Sequence, residues 1–76
     1  MAQAAAQHVD VRRELLEMLL TRVANDRFPS VTMMDLIEHL LRDPDERSVY
    51  VQVLLDKIRH DRFPSIPMLR RILALG

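Results

Sequence analysis

The run Asp26-Arg27-Phe28-Pro29-Ser30 recurs unchanged as Asp61-Arg62-Phe63-Pro64-Ser65, 35 positions later (61 minus 26). A fixed period of this size marks one supersecondary unit used more than once, and it limits the folds open to so short a chain. Carried outward without gaps, the register pairs Arg12 with Arg47, Leu19 with Leu54, Leu20 with Leu55, Met33 with Met68, Ile37 with Ile72 and Leu40 with Leu75. Eleven of the thirty pairs between 12–41 and 47–76 are identical. Leu16 with Val51, Arg22 with Lys57, Val23 with Ile58, Val31 with Ile66 and Met34 with Leu69 keep their character. The sequence therefore reads as a tandem duplication.

Each unit reads as helix, tight turn, helix. Leu15, Leu16, Leu19, Leu20 and Val23 form an apolar stripe at helical spacing, with Asp10, Glu14, Glu17 and Thr21 opposite and Asp10 as N-cap. Pro29 removes a backbone donor and disfavours helical geometry at Phe28, and Ser30 is placed to cap the next helix. That second helix turns Met33, Ile37, Leu40 and Leu41 inward and Asp35, Glu38 and Arg42 outward. Asp43-Pro44-Asp45-Glu46 opens the third helix, with an acidic cap, proline in the first turn and Glu46 placed to reach back. It runs to about His60. Val49 to Val53 would suit a strand on propensity, but the equivalent positions Glu14 to Met18 are helical in pattern, so helix is expected. Ser65 caps the fourth helix, which turns Ile66, Met68, Leu69, Ile72 and Leu75 inward.

The expected fold is all-α: four short helices formed by two tandem helix-turn-helix (α-hairpin) repeats of 35 residues. Residues 1–9 are expected to form a flexible tail, and 10–76 a single four-helix domain with repeat units 10–42 and 43–76. A chain of 76 residues buries only about 60–65% of its unfolded surface, so it needs efficient packing or association. Disulfides cannot supply the difference, because there is no cysteine.

Apolar demand points to association. Val49, Tyr50, Val51, Val53, Leu54, Leu55 and Ile58 cover more than half of the third helix, which places it centrally. Leu73 stands where the first unit has Glu38, an outward position turned apolar. Tyr50, Leu69 and Leu73 are therefore the candidate interface, for a homodimer or a partner protein. Met18, Met33, Met34 and Met68 fall on apolar faces and read as core filler.

Chemistry-bearing patterns are sparse. His8, His39 and His60 match no metal-ligand spacing, and Asp56 with His60 reads as a solvated ion pair. Ser30 and Ser65 read as caps, and the only glycine, Gly76, cannot build a phosphate loop. No catalytic, cofactor-binding or metal-binding residue is assigned, and a non-enzymatic protein without cofactor or small-molecule substrate is expected.

Eleven basic residues balance eleven acidic ones, so no net field draws the chain to nucleic acid or an anionic membrane. Residues 1–44 carry five basic and seven acidic side chains and 45–76 six and four, a mild asymmetry in the direction of head-to-tail contacts but too small to decide anything. The alternative reading is a DNA- or RNA-binding regulator using a basic surface of Lys57, Arg59, Arg62, Arg70 and Arg71. Asp56 and Asp61 interrupt that surface. No apolar run approaches the ~18 residues of a membrane span, and a soluble, cytoplasmic protein is expected.

Phe28 to Ser65, and Val31-Thr32-Met33-Met34-Asp35-Leu36-Ile37 in particular, resemble the pattern of pentatricopeptide-type RNA-binding repeats. Where that family carries a tyrosine and then a base-reading polar residue, this chain has Met33 and Met34. The resemblance implies a similar helical hairpin. The function expected from the residues remains a small protein-protein interaction or adaptor protein, acting through apolar helix surfaces and self-associating.

Overall fold

A computed structural model describes residues 10–76. The tail expected at 1–9, and with it His8, lies outside the described residues. Four helices follow in order: α1 Val11–Asn25, α2 Val31–Leu40, α3 Pro44–His60 and α4 Ile66–Leu75, with no strand among the described residues.

Each helix begins on a side chain that accepts from an otherwise unpaired amide of its first turn. Asp10 accepts from the backbone N–H of Arg13 at 3.1 Å, Ser30 from Met33 at 3.2 Å, Asp43 from Glu46 at 2.8 Å and Ser65 from Met68 at 3.1 Å. Ser30→Ala is expected to cost about 1 kcal/mol, read as a lower denaturant midpoint at unchanged slope. α1, α2 and α3 end without glycine by stepping into extended backbone at Asp26, Leu41 and Asp61.

Helix α1 packs on α2 and α3 on α4, and the two hairpins meet through α1 against α3. The helix α3 is thus central as expected, but shares that place with α1. Leu16 and Val23 of α1, Met34 and Ile37 of α2 and Tyr50 and Leu54 of α3 form one buried cluster. Leu19, Leu20, Met33, Leu40, Leu41, Val53, Met68, Ile72 and Leu75 pack against it half-buried.

Several expectations are corrected here. Tyr50, a candidate interface residue, is fully buried: it lies on the face of α3 that meets the first hairpin, so it has no surface to offer a partner. Glu38, expected outward, accepts the Tyr50 hydroxyl at 2.7 Å and a hydrogen bond from Arg71 at 2.7 Å, while Arg71 also holds Asp35 at 2.8 Å. Met18 is exposed, not core, because α2 and α3 cover α1 from one side and Met18 falls beyond both.

A second polar joint lies one turn away along α3. Arg12 makes a two-pronged bond to Glu46, at 2.9 and 2.8 Å, and donates to the Leu40 carbonyl at 2.6 Å. Glu46 reaches back four residues rather than the expected three, accepting from the backbone N–H of Arg42 at 3.1 Å. That fork geometry is one only arginine supplies.

Candidate functional site

Both Asp-Arg-Phe-Pro-Ser turns take the same local form. Asp26 and Asp61 leave their helices in extended geometry, at φ −83°, ψ 131° and φ −92°, ψ 131°, and Ser30 and Ser65 re-enter helix from extended geometry. Proline fixes the backbone between. The phenylalanine just before it is held where neither flanking helix can cover it.

As a result Phe28 is 82% and Phe63 83% exposed. These are the only two phenylalanines of the chain. A lone exposed apolar residue means little, but large aromatic side chains left out twice, in the same rigid turn, form a patterned surface. Each ring carries its own cation: the Arg27 guanidinium lies 5.5 Å from the Phe28 ring centre, and that of Arg62 lies 6.0 Å from Phe63. A cation over an aromatic face is attracted by the ring's quadrupole, by about 0.5–1 kcal/mol at exposed positions.

Lys57 sets the two turns side by side. Its ammonium reaches from α3 to the last carbonyls of α1, donating to Ala24 at 3.2 Å and to Asp26. Those carbonyls have no partner within their own helix, so the contact satisfies them and favours the cation at the helix C-terminus. Between the turns lies an open cleft of about 900 Å³. Asp26, Arg27 and Phe28 line one side and Asp61, Arg62 and Phe63 the other, with Ile58 and Met68 also contributing. Its three cations, Arg27, Lys57 and Arg62, match three anions, Asp26, Asp56 and Asp61. Asp26 is engaged by Arg22 at 3.4 Å and Asp56 by His60 at 3.6 Å, the solvated pair the sequence suggests.

The other sequence-predicted residues scatter. Leu69 is half-buried and Leu73, 79% exposed, points away from the core, which rules out a packing role within the chain. The five residues of the basic surface do not come together. Lys57 is spent on carbonyls, and Arg71 is largely covered and clamped by Asp35 and Glu38. Burial works against the Arg71 charge, but the hydrogen bonds to Glu38 and Asp35 outweigh it and raise the pKa. Arg59, Arg62 and Arg70 are exposed, but Arg59 and Arg62 border different clefts.

The Tyr50 phenol is held well above its usual pKa, first by burial and then by its bond to the Glu38 carboxylate, so it stays a proton donor in that bond. Ser30 and Ser65 are occupied as caps. Among the described residues no group of three or more His, Cys, Asp or Glu side chains is placed to hold a metal ion, and no helix is long and apolar enough to cross a membrane.

Phe28 and Phe63 are the site residues that sequence reasoning passed over. Their signal was present in the unchanged five-residue run, where capping and ring geometry explain the serine and the proline but not the phenylalanine. Fold and site together define a small two-hairpin helical protein with an exposed aromatic edge. No protein-family model, no curated protein sequence and no solved structure matches the chain.

Proposed function

We propose that this chain is a non-enzymatic protein-interaction module, built from two repeated helical hairpins, that docks a partner protein on the edge formed by its two Phe-Pro-Ser turns. The observation that carries this reading is the paired exposure of Phe28 and Phe63 in turns of the same geometry. Aromatic side chains and arginine are enriched at protein interfaces, where a few such residues carry most of the binding energy. The edge offers two of each, held by proline and capping serine rather than by flexible loops.

The partner segment that fits is apolar, to cover the rings, with carboxylates beside its apolar groups to meet Arg27 and Arg62. The cleft's balanced charge argues against a polyanion, whose binding rests on an excess of cations. Cytoplasmic residence accompanies this reading.

Affinity capture from cells, with and without nuclease, tests it directly. Wild-type bait is expected to retain a protein that survives nuclease and high salt, because apolar contacts persist where counterion-driven ones fall away. Phe28→Ala with Phe63→Ala is expected to lose that protein while keeping the wild-type helical signal and melting temperature, since neither ring is packed in the core. Capture that disappears with nuclease, or that the double variant retains, overturns the proposal.

A further inference from the structure

The buried residues divide between the hairpins in a way that leaves two complementary faces open. Seven described residues are buried: Leu16, Val23, Met34 and Ile37 in the first hairpin, and Glu46, Tyr50 and Leu54 in the second. Moved by 35 positions, the first four become Val51, Ile58, Leu69 and Ile72, all apolar and all only half-buried. Moved back by 35, Tyr50 and Leu54 become Leu15, which is exposed, and Leu19, which is half-buried, and Glu46 becomes the exposed Val11. No buried residue has a buried counterpart. Each hairpin thus has one face covered by its neighbour in the chain, and the equivalent of the covering or covered face stands open at the other end.

Polar contacts of the internal joint carry over only in part, since the Arg71 pairs with Asp35 and Glu38 become Leu36 against Arg70 and Leu73. Across that joint Glu38 meets Tyr50, and their counterparts are Leu73 and Leu15, a polar pair exchanged for an apolar one at both positions. Lys57 caps the carbonyls of Ala24 and Asp26. Its counterpart is Arg22, and theirs are the carbonyls of Arg59 and Asp61 at the end of α3. Arg12 meets Glu46, whereas the counterparts Arg47 and Val11 do not form a pair, so this ion pair of the joint has no equivalent either. Net charge is −2 over residues 1–44 (five basic, seven acidic) and +2 over 45–76 (six basic, four acidic), which favours opposite ends meeting.

Resting on the reading of the hairpins as copies of one unit, we infer that a second copy of this chain stacks its first hairpin on the open face of the second hairpin, repeating the internal joint between molecules. Val51 and Ile58 of one copy then cover Leu15 of the next, Leu73 meets Leu15, and Ile72 and Leu19 add only the part of their surface that their own core leaves uncovered. Helical repeats need polar outer faces on their terminal units to stay separate, whereas among the described residues Val11, Leu15 and Met18 of α1 and Leu73 of α4 are exposed. Such a contact joins two different surfaces, so it leaves a free face at each end and continues into a row or closes into a ring, unlike a two-fold dimer.

Sedimentation velocity on the full chain, over a wide range of concentration, tests the inference by mixing. Wild type is expected to exceed the mass of two chains as concentration rises. Leu73→Glu and Leu15→Glu each spoil one of the two faces, so either variant alone is expected to sediment as a monomer with native helical content. Mixed in equal amounts they should form a one-to-one dimer, because each supplies the face the other lacks. Should Leu15→Glu fail to fold, Met18→Glu, on the same open side of α1 and 70% exposed, takes its place. A wild type that stays monomeric overturns the inference, as does a mixture that stays monomeric when wild type associates, the result for a two-fold dimer or for cover by another segment. Phe28→Ala with Phe63→Ala should associate like wild type, so loss of partner capture and loss of stacking are read separately.

Discussion

Tyr50→Ala is expected to remove about 3–5 kcal/mol, a third or more of the protein's stability, whereas Leu73→Ser leaves its melting temperature within a few degrees of wild type. Tyr50 is the largest fully buried side chain and sits where α3 meets the first hairpin. Removing a large buried aromatic costs about 3–5 kcal/mol in lost burial and unfilled space. A chain of 76 residues has in total roughly 4–11 kcal/mol of stability at about 0.05–0.15 kcal/mol per residue. Leu73, 79% exposed, has little burial to give up. Tyr50→Phe separates packing from the hydroxyl. It keeps the ring and removes only the bond to Glu38, which retains Arg71, and is expected to cost about 1–2 kcal/mol. Thermal unfolding followed by circular dichroism ranks the three. A ranking with Leu73→Ser below Tyr50→Ala in stability would show that the joint between the hairpins is not where the structure puts it.

The second large effect is a loss of stability in acid that a single carboxylate controls. Glu46 is 7% exposed and its pKa is lowered from 4.5 to about 2, chiefly by the hydrogen bonds from Arg12 and further by the backbone N–H of Arg42, against the opposing pull of burial. Between those two values the unfolded chain binds a proton that the folded chain does not, so stability rises with pH across the window. The contribution is present in full above about pH 4.5 and is lost as pH falls toward about 2. Glu46→Gln is therefore expected to flatten the denaturant midpoint between these limits, to be less stable than wild type at neutral pH, and to approach wild type near the acid limit. Arg12→Gln leaves the carboxylate without its main partner, and the same window should then shrink from the acid side. Urea titrations at a series of pH values decide this. An unchanged slope in Glu46→Gln would assign the acid sensitivity elsewhere.

Much of the local structure was legible because it depends on neighbours in the chain. Asp10, Ser30, Asp43 and Ser65 cap the helices they precede, and α3 begins at the proline that marked it. The helical state of Val49 to Val53, ambiguous on β-propensity, followed from its alignment with α1, and α3 does run through it. Interface residues were less legible. An apolar face tells that something covers it but not whether that cover is the same chain or another, and Tyr50, Leu69 and Leu73 looked alike on the wheel. They prove to be buried, half-buried and exposed in turn.

Acidic and basic residues were the least legible of all. Glu38 and Asp35 sat on what read as the outer face of α2, and Arg71 read as one of a basic group. A charge is placed outward on sequence because nothing nearby in the chain neutralises it. Here the neutralising partner comes from a helix more than thirty residues away, in Arg71 for Glu38 and in Glu46 for Arg12. Phe28 and Phe63 are the converse case: aromatic residues taken as part of a turn, which the proline leaves exposed.

What the sequence by itself determined is the class, the number and the starts of the helices and the turns between them, since caps and prolines act over a few residues and need no knowledge of the fold, whereas α2 stops at Leu40, short of the Leu41 and Arg42 expected in it. Only the tertiary structure decided which apolar residues are core, which charges are spent inside the molecule, and that the two phenylalanines share one edge. Those outcomes depend on how α1 meets α3, a contact between residues far apart in the chain whose geometry is set by the shape and charge of both surfaces at once.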